Sequence, residues 1–204
     1  ILATGGIPLQ DLPGGGAELA LTAWDVLGEG KVPEGDVLVY DEVGGHAALS
    51  MAHLVSDAGA NISFAAMDSV LGRNLGAQNK PVYLGALRSA GAQFLADTRL
   101  VGLKRSGNRI SATLEDRWSR EFREQEFDAV IIDQGVAPDN DLFDALAPGA
   151  ANGGRLDLSA LADGRPQPQS PGESQPILYR IGDALMSRDV HSALYEARRL
   201  CRHL

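Results

Sequence analysis

The 204-residue sequence predicts an α/β fold built around parallel strands. An apolar run at 37–40, a helical stretch from His46 to about Ala58 and a second apolar run at 61–66 follow one another as strand, helix and strand. The 24 glycines and the low aromatic content of 5% suit a fold with many tight turns and close backbone approaches. Together these observations predict a βαβ unit, with a natural helix stop at Gly59 and a right-handed crossover.

A second helix, a strand, a hairpin and a further strand are predicted after this unit. Pro81 suits the first turn of the helix, and Gly91 is expected to end it. The Ser106-Gly107-Asn108 turn predicts the hairpin, and the charged stretch after it is left without an assigned element. The predicted ranges are 81–90 for the helix, 92–95 for the third strand, 98–103 and 109–114 for the hairpin, 115–126 for the charged stretch and 127–132 for the last strand.

The two ends of the chain are predicted to form parts of one sheet. An apolar segment opens the chain and stops at Gly5 and Gly6, and another resumes at Ile177 and stops at Gly182. The last helix is expected to begin near Asp189. We therefore expect residues 1–34 and 135–204 to form one domain, with a second domain, 35–134, inserted between them.

Composition and charge exclude several functions. A net charge of −9 argues against nucleic acid as the main partner, and no apolar stretch is long enough to span a membrane. The absence of a visible secretory signal and the single cysteine, Cys201, predict a cytoplasmic protein in which this thiol is a small apolar filler. No metal site and no catalytic residue are predicted, because no metal-ligand or nucleophile–base spacing occurs. The four histidines are His46, His53, His191 and His203.

The two terminal segments are the first candidate site. Ala3-Thr4-Gly5 and Gly182-Asp183-Ala184 each follow an apolar run, so their backbone N–H groups are free to meet a ligand. The short carboxylate of Asp183 can accept two hydrogen bonds without reaching far. The structural alternatives are a plain turn at residues 3–6 and an ordinary helix-capping aspartate at Asp183.

The turn after the first βαβ strand is the second candidate. A dinucleotide site has Gly-x-Gly-x-x-Gly here, whereas this chain has Asp41-Glu42-Val43-Gly44-Gly45-His46-Ala47-Ala48. Gly44, Gly45 and His46 are placed to touch a nucleotide, but the carboxylates of Asp41 and Glu42 make pyrophosphate binding unfavourable. Downstream, Asp68 is a candidate ribose acceptor or a turn residue, and Arg73 a phosphate contact or a solvent-facing side chain.

The terminal segments resemble the second and third fingerprints of the flavoprotein reductases with two dinucleotide domains. The register from Val37 to Ala52, together with Ile181-Gly182-Asp183-Ala184 and Arg188, resembles the NADH:flavin oxidoreductase, 2,4-dienoyl-CoA reductase and trimethylamine dehydrogenase family, on its amine dehydrogenase and N-demethylase side. The resemblance implies a Rossmann-like NAD(P)-type domain inserted into a partial, glutathione-reductase-like FAD domain. It also implies that FAD or ADP is held at 3–5 and 182–184, with Asp183 accepting from a ribityl hydroxyl.

The resemblance further implies a larger, FMN- and FAD-dependent parent enzyme. An N-terminal barrel with FMN and a 4Fe–4S cluster would oxidise amines or reduce enoyl compounds, and we expect no turnover from these 204 residues alone. Expected partners are an adenine nucleotide or flavin, the barrel and, as an open alternative, further copies of the chain. A non-catalytic nucleotide-binding or structural module is the rival interpretation. A complete small reductase is disfavoured because the first strand has no Gly-rich turn.

Overall fold

The structure, a computed structural model, describes residues 1–168 and 175–202. The backbone divides into a smaller unit, Ile1–Ile7 with Val136–Leu204, and a larger unit, Pro8–Gly135, inserted into it. The α/β class with an inserted βαβ unit is confirmed, but the boundary predicted at residue 35 is wrong. Residues 8–34 belong to the larger unit because Leu21–Thr22 forms an edge strand of its sheet.

The larger unit is built on a five-stranded sheet in the order β2-β9-β3-β4-β5, whose pairs all run parallel. A separate three-stranded antiparallel sheet has the order β6-β7-β8, and β1 pairs with β10. The strands are β1 Gly6–Pro8, β2 Leu21–Thr22, β3 Asp36–Asp41, β4 Asn61–Ala66, β5 Gln93–Leu95, β6 Thr98–Ser106, β7 Arg109–Asp116, β8 Phe122–Phe127, β9 Ala129–Asp133 and β10 Val136–Pro138. The α-helices are α1 His46–Asp57, α2 Lys80–Ser89, α3 Asp141–Leu146, α4 Leu158–Ala162 and α5 Val190–Cys201.

Strand β3 is buried on both of its faces, as its apolar run predicts. Val37 and Val39 pack in a core that contains Leu49 and other residues of α1. Leu38 and Tyr40 point to the opposite side, into a core shared with β6 and β7. All four strand residues are fully buried, and each side chain of this size contributes about 1.5–3 kcal/mol when removed from water. This burial holds the carboxyl end of β3, and therefore the loop after it, in a fixed position.

One strand of the antiparallel sheet was not predicted. The hairpin of β6 and β7 is confirmed, with Gly107 in the left-handed region at φ 57°. The charged stretch after it contains β8, and Asp116 shapes the intervening turn by accepting the N–H groups of Trp118 and Ser119. An edge strand with one face in solvent needs few apolar residues, so the charged sequence of β8 gave no strand signal. Phe127, assigned to the following strand, closes β8 instead.

The smaller unit contains less regular structure than the sequence predicts. The apolar segments at 1–4 and 177–181 are not strands but are joined by one isolated parallel bridge, Leu2 with Arg180. Residues Gly182–Ala184 form a single 3₁₀ turn, and α5 follows with Asp189 as its N-cap, as predicted. Part of the loop predicted at 163–176 lies outside the described residues. None of the helices described is long and apolar enough to cross a membrane.

Candidate functional site

The two terminal segments singled out from the sequence lie side by side in the smaller unit. The Leu2 N–H donates to the Tyr179 carbonyl at 2.7 Å, and the Ile181 N–H donates to the Leu2 carbonyl at 3.0 Å. Gly5 is tied to the same unit, because its carbonyl accepts the Asp139 N–H at 3.1 Å. Backbone hydrogen bonds therefore bring the Ala3–Gly5 segment next to the turn at residues 182–184.

A cavity of about 420 Å³ opens where these segments meet the start of α5. Gly5 and Gly182 both have left-handed backbones, at φ 80° and 60°, which L side chains rarely adopt. A Cβ on Gly5 would meet nothing within 4 Å, and a Cβ on Gly182 would lie 3.4 Å from the Ala193 Cβ, in ordinary contact. Without these Cβ atoms, the backbone at both glycines is open to the cavity. The lining residues are Ala3, Gly5, Ile181, Gly182, Asp183, Arg188, Asp189, Val190 and Ala193.

Four of the six sequence-predicted residues in these segments line the cavity, and two do not. Ala3, Gly5, Gly182 and Asp183 are at its wall. Ala184 is fully buried behind the turn. The Thr4 hydroxyl donates to the Asp139 carbonyl at 3.1 Å and so holds this segment to residue 139 of the smaller unit.

Glu196 of α5, which the sequence analysis missed, holds the turn in place. Its Oε2 accepts the Gly182 N–H at 2.9 Å, and its Oε1 pairs with the Arg188 guanidinium. Arg188 lies on a loop and Glu196 on a helix, eight positions apart, so the i,i+3 and i,i+4 spacing rules for helices do not predict this pair. The pair orients the turn that carries Asp183.

The cavity is equipped for binding rather than for covalent chemistry. Its lining offers two carboxylates, one guanidinium and backbone groups, and it includes no Ser, Cys or His. The Asp189 carboxylate accepts the Ser192 N–H at 2.6 Å, and this bond holds the pKa of Asp189 below its usual range. The helix N-terminus is thus capped by its own residue. Asp183 lies at the cavity wall and has no hydrogen-bond partner among the described residues.

The loop after β3, the second candidate, is closed by the chain itself. Asp41 Oδ1 accepts the N–H groups of Val43 and Gly44 at 2.9 and 2.7 Å. From the other side, the Asn74 side chain donates to the Val43 carbonyl at 2.6 Å, and its backbone N–H donates to the Gly44 carbonyl at 2.9 Å. Gly44 has φ 71°, and a Cβ there would come within 2.8 Å of the Arg73 Cγ. Packing therefore accounts for this glycine without a ligand.

Two buried carboxylates meet the start of α1, where a dinucleotide phosphate would lie. Asp41 is 1% and Asp133 is 7% exposed, and Oδ2 of each has no hydrogen-bond partner among the described residues. Burial raises the pKa of Asp41 to about 6, with the Gly44 N–H opposing this rise and the charge of Asp133 adding to it. Burial also raises the pKa of Asp133, whose Oδ1 accepts the Gly135 N–H at 3.2 Å, and the nearby Ala48 N–H opposes that rise. A phosphate here would meet two buried acidic groups.

Four further candidate residues lie at or near this loop. Gly45 is the N-cap of α1 and has no capping side chain, and His46 is exposed, with Nδ1 3.5 Å from the Tyr83 hydroxyl. The Arg73 guanidinium donates to the Asp68 carboxylate at 2.9 Å, so the candidate phosphate contact and the candidate ribose acceptor bind each other.

The other polar candidates do not assemble into a site. His53 pairs with Asp57 at 3.0 Å, His191 is exposed, and His203 lies outside the described residues. Cys201 is exposed, so its prediction as a small apolar filler is wrong; it lies in the last turn of α5, away from the buried side of that helix. Within residues 1–168 and 175–202, no three His, Cys, Asp or Glu side chains could hold a metal ion together.

A search of protein-family models finds no match, but individual proteins are similar over the whole chain. Identity is 31% over 207 residues to a probable N-methylproline demethylase of Rhizobium meliloti (strain 1021), covering 100% of this chain and 30% of that protein. It is 38% over 205 residues to a multifunctional alkene reductase/demethylase of Caballeronia cordobensis, covering 98% and 30%. For an N,N-dimethylglycine/sarcosine dehydrogenase of Chromohalobacter salexigens it is 30% over 214 residues, covering 99% and 31%. The chain spans about 30% of the length of these relatives.

Solved structures agree on the fold. The 6-hydroxypseudooxynicotine amine oxidase of Pseudomonas geniculata N1 matches 97% of this chain with 27% of its own, at a TM-score of 0.74 and 22% identity. Histamine dehydrogenase of Rhizobium sp. 4-9 matches 99% with 30% of its own, at 0.74 and 18%. Thioredoxin reductase of T. acidophilum matches 98% of the chain with 62% of its own, at 0.59 and 14%. These identities are low, so the likeness shows the fold alone.

Proposed function

This chain belongs to the NADH:flavin oxidoreductase, 2,4-dienoyl-CoA reductase and trimethylamine dehydrogenase family, and from that premise we propose that it is the C-terminal dinucleotide-domain part of a flavin- and iron–sulfur-dependent oxidoreductase. Its smaller unit holds part of FAD or ADP, and its larger unit keeps the Rossmann-like fold without binding a pyridine nucleotide. The chemistry of the whole enzyme belongs to an N-terminal barrel with FMN and a 4Fe–4S cluster.

The observation that carries the proposal is the cavity between the Ala3–Gly5 segment and the Gly182–Asp183 turn. Two left-handed glycines there keep the backbone free of side chains, and Asp183 lies at the wall with no competing hydrogen bond among the described residues. Polyol hydroxyls donate well to a short carboxylate, so the residues fit a ribityl or ribose group. The cradle for the pyrophosphate is a Gly-rich turn that these 204 residues do not contain, and we assign it to the rest of the enzyme.

The substrate class follows from the relatives. They are named as a demethylase, an alkene reductase/demethylase and a dehydrogenase of methylated glycines. We accordingly propose that the whole enzyme oxidises an N-methylated or primary amine, or reduces an enoyl compound, in the cytoplasm. We propose a structural role for the larger unit, because hydrogen bonds of Asp41 and Asn74 close the loop after β3, where a nucleotide would bind.

Calorimetric titration of the 204-residue chain with FAD, ADP, NAD and NADP tests the proposal, each run in excess inorganic pyrophosphate so that any site for a bare diphosphate is already occupied. We expect binding heat with FAD or ADP and none with NAD or NADP. Lack of heat with all four would remove the partial flavin site and leave the structural module. Heat with NAD or NADP would show that the larger unit has kept a nucleotide site.

A turnover assay makes the complementary test. We expect no NAD(P)H oxidation above the buffer rate when the chain is supplied with FAD and an artificial electron acceptor. A sustained rate from these residues alone would contradict the assignment of the chemistry to a separate barrel.

A further inference from the structure

A second cavity, of about 440 Å³, lies along the other half of α5 in the smaller unit. It shares no lining residue with the cavity at the start of that helix. One wall is the end of α4 and the loop after it, and the other is one face of α5. The lining residues are Leu161, Ala162, Asp163, Gly164, Arg165, Tyr195, Arg198, Arg199 and Arg202.

Four arginines and a single aspartate converge on this cavity in a chain whose net charge is −9. Arg165 pairs with Asp163 at 2.9 Å, which neutralises one of the guanidinium groups. Arg199 donates to the Leu161 carbonyl and lies 5.3 Å from the centre of the Tyr195 ring. Arg198 and Arg202 are exposed, and within the described part of the chain neither has a carboxylate at ion-pair distance. Three positive charges at the cavity are therefore not matched there.

The wall opposite α5 is held in shape by its own hydrogen bonds. Gln167 is buried, and its amide exchanges two bonds with the backbone of Asp157, at 2.8 and 3.1 Å. Gly164 takes the left-handed conformation that ends α4, at φ 65°, and the Arg165 N–H donates back to the Ala160 carbonyl at 2.9 Å. The position of the Arg165 backbone is thus set before any ligand arrives.

The helix dipole explains only part of this arrangement. Arg198 and Arg199 lie in the last turn of α5, where positive side chains stabilise a helix by about 0.3–1 kcal/mol. Arg165 comes from a different element and gains nothing from that dipole, yet it faces the same cavity. The three arginines without a carboxylate all come from α5 and its C-cap, and the loop after α4 supplies the fixed opposite wall and the Arg165–Asp163 pair. A cavity closed by such a wall beside three guanidinium groups fits an anion site better than helix capping alone.

We propose that this cavity binds a small anion carrying two phosphate groups, of the pyrophosphate class. Guanidinium forks bind phosphate oxygens in pairs, and three unmatched charges suit a diphosphate better than a single carboxylate. The proposal goes beyond the flavin-type site, because the residues that carry it lie outside that cavity.

Calorimetry with inorganic pyrophosphate on the 204-residue chain tests it. We expect binding that weakens as salt is raised from about 50 to 200 mM, and weaker binding of orthophosphate. The double variant Arg198→Ala with Arg202→Ala should lose affinity by at least about tenfold, since each charge-assisted bond is worth more than a neutral one. The double Arg→Lys variant keeps the charge but loses the paired N–H groups of the guanidinium. Its pyrophosphate affinity should therefore lie between those of the unchanged chain and the double alanine variant.

Matched controls separate this site from the other one. Arg123→Ala, at an exposed arginine of β8, and Asp183→Ala should both leave pyrophosphate affinity unchanged. Thermal unfolding checks that the double alanine variant is folded, which we expect because both side chains are exposed. No pyrophosphate binding up to millimolar concentration, or binding that the double alanine variant retains in full, would overturn the proposal. Binding of an acidic peptide to these arginines, without any binding of pyrophosphate, would also overturn the proposal.

Discussion

The segments that lead into helices α1 and α5 show that a left-handed glycine turn can have different outcomes. Both helices follow a turn with a left-handed glycine, Gly44 before α1 and Gly182 before α5. At α1, the Asp41 carboxylate and the Asn74 side chain hydrogen-bond to the backbone of residues 43 and 44, and the Asp133 carboxylate is buried close by. At α5, Asp189 caps the helix and a cavity remains beside Asp183. A glycine turn at a helix start predicts a ligand only where the chain has not filled the place itself.

The largest effect should come from the substitution Asp41→Asn in the closed loop. The raised pKa of Asp41 means that the folded state holds its proton up to about pH 6, whereas the unfolded state releases it near 3.8. Stability is therefore lost as pH rises from about 4 to 6. Asn keeps an acceptor for the Val43 and Gly44 N–H groups but cannot ionise. We expect it to stabilise the protein by about 2–3 kcal/mol at pH 7.5 and by little at pH 4.

Urea unfolding at pH 4, 5, 6 and 7.5 measures this difference. The exposed Asp11→Asn serves as the matched control and should show no pH-dependent gain. A destabilised Asp41→Asn protein at pH 7.5 would contradict the raised pKa of Asp41 and show that the ionised carboxylate stabilises the loop at α1.

The open cavity should respond in binding rather than in stability. Asp183→Ala removes the carboxylate acceptor, and we expect FAD or ADP affinity to fall by about tenfold, as for loss of a hydrogen bond to a charged group. Asp144→Ala, at an exposed aspartate of α3 in the same unit, is the control. Calorimetric titration of both variants makes the measurement. Equal affinities would show that the ligand does not bind in the cavity at the start of α5, and would contradict the difference proposed between α5 and α1.

Gly44→Ala tests whether the glycine at α1 serves packing alone. The φ of 71° and the approach of its Cβ to Arg73 predict a loss of about 1–2 kcal/mol in unfolding free energy. Gly28→Ala is the reference, because a Cβ at Gly28 meets nothing within 4 Å and its φ is not left-handed. Urea unfolding measures the unfolding free energy of both variants. Similar losses of free energy would show that the loop can adjust to a Cβ at residue 44.

The smallest effect concerns Glu196, which positions the Gly182 turn. Glu196→Gln keeps an acceptor for the Gly182 N–H but loses the ion pair with Arg188, so FAD or ADP affinity should fall only about twofold to threefold. Glu196→Ala loses both and should fall further. Calorimetry at the same salt concentration compares them; a larger loss for Gln than for Ala would contradict a positioning role.

The sequence predicted the buried βαβ unit closely and the exposed or irregular parts poorly. Helix α1 and strand β4 begin at the predicted residues, His46 and Asn61, because apolar periodicity and glycine stops act locally. Strand β8 was missed because an edge strand with a solvated face carries little hydrophobic signal. The segments at 1–4 and 177–181 are apolar like strands, yet a single bridge joins them, since pairing depends on distant partners.

The resemblance to the family predicted that the two terminal segments lie together, whereas the sequence by itself determined the α/β class, the βαβ unit and the incomplete Gly-rich motif at α1. Those features follow from local hydrophobic pattern, glycine conformation and the charge of neighbouring residues. Only the tertiary structure decided that residues 8–34 join the larger sheet, that Asp133 reaches the start of α1, and that Glu196 supports the Gly182 turn. It also brought Arg165 to the arginines of α5. Each of these contacts joins residues at least 14 positions apart in the chain, beyond the reach of helix and strand periodicity, so local patterns do not reveal them.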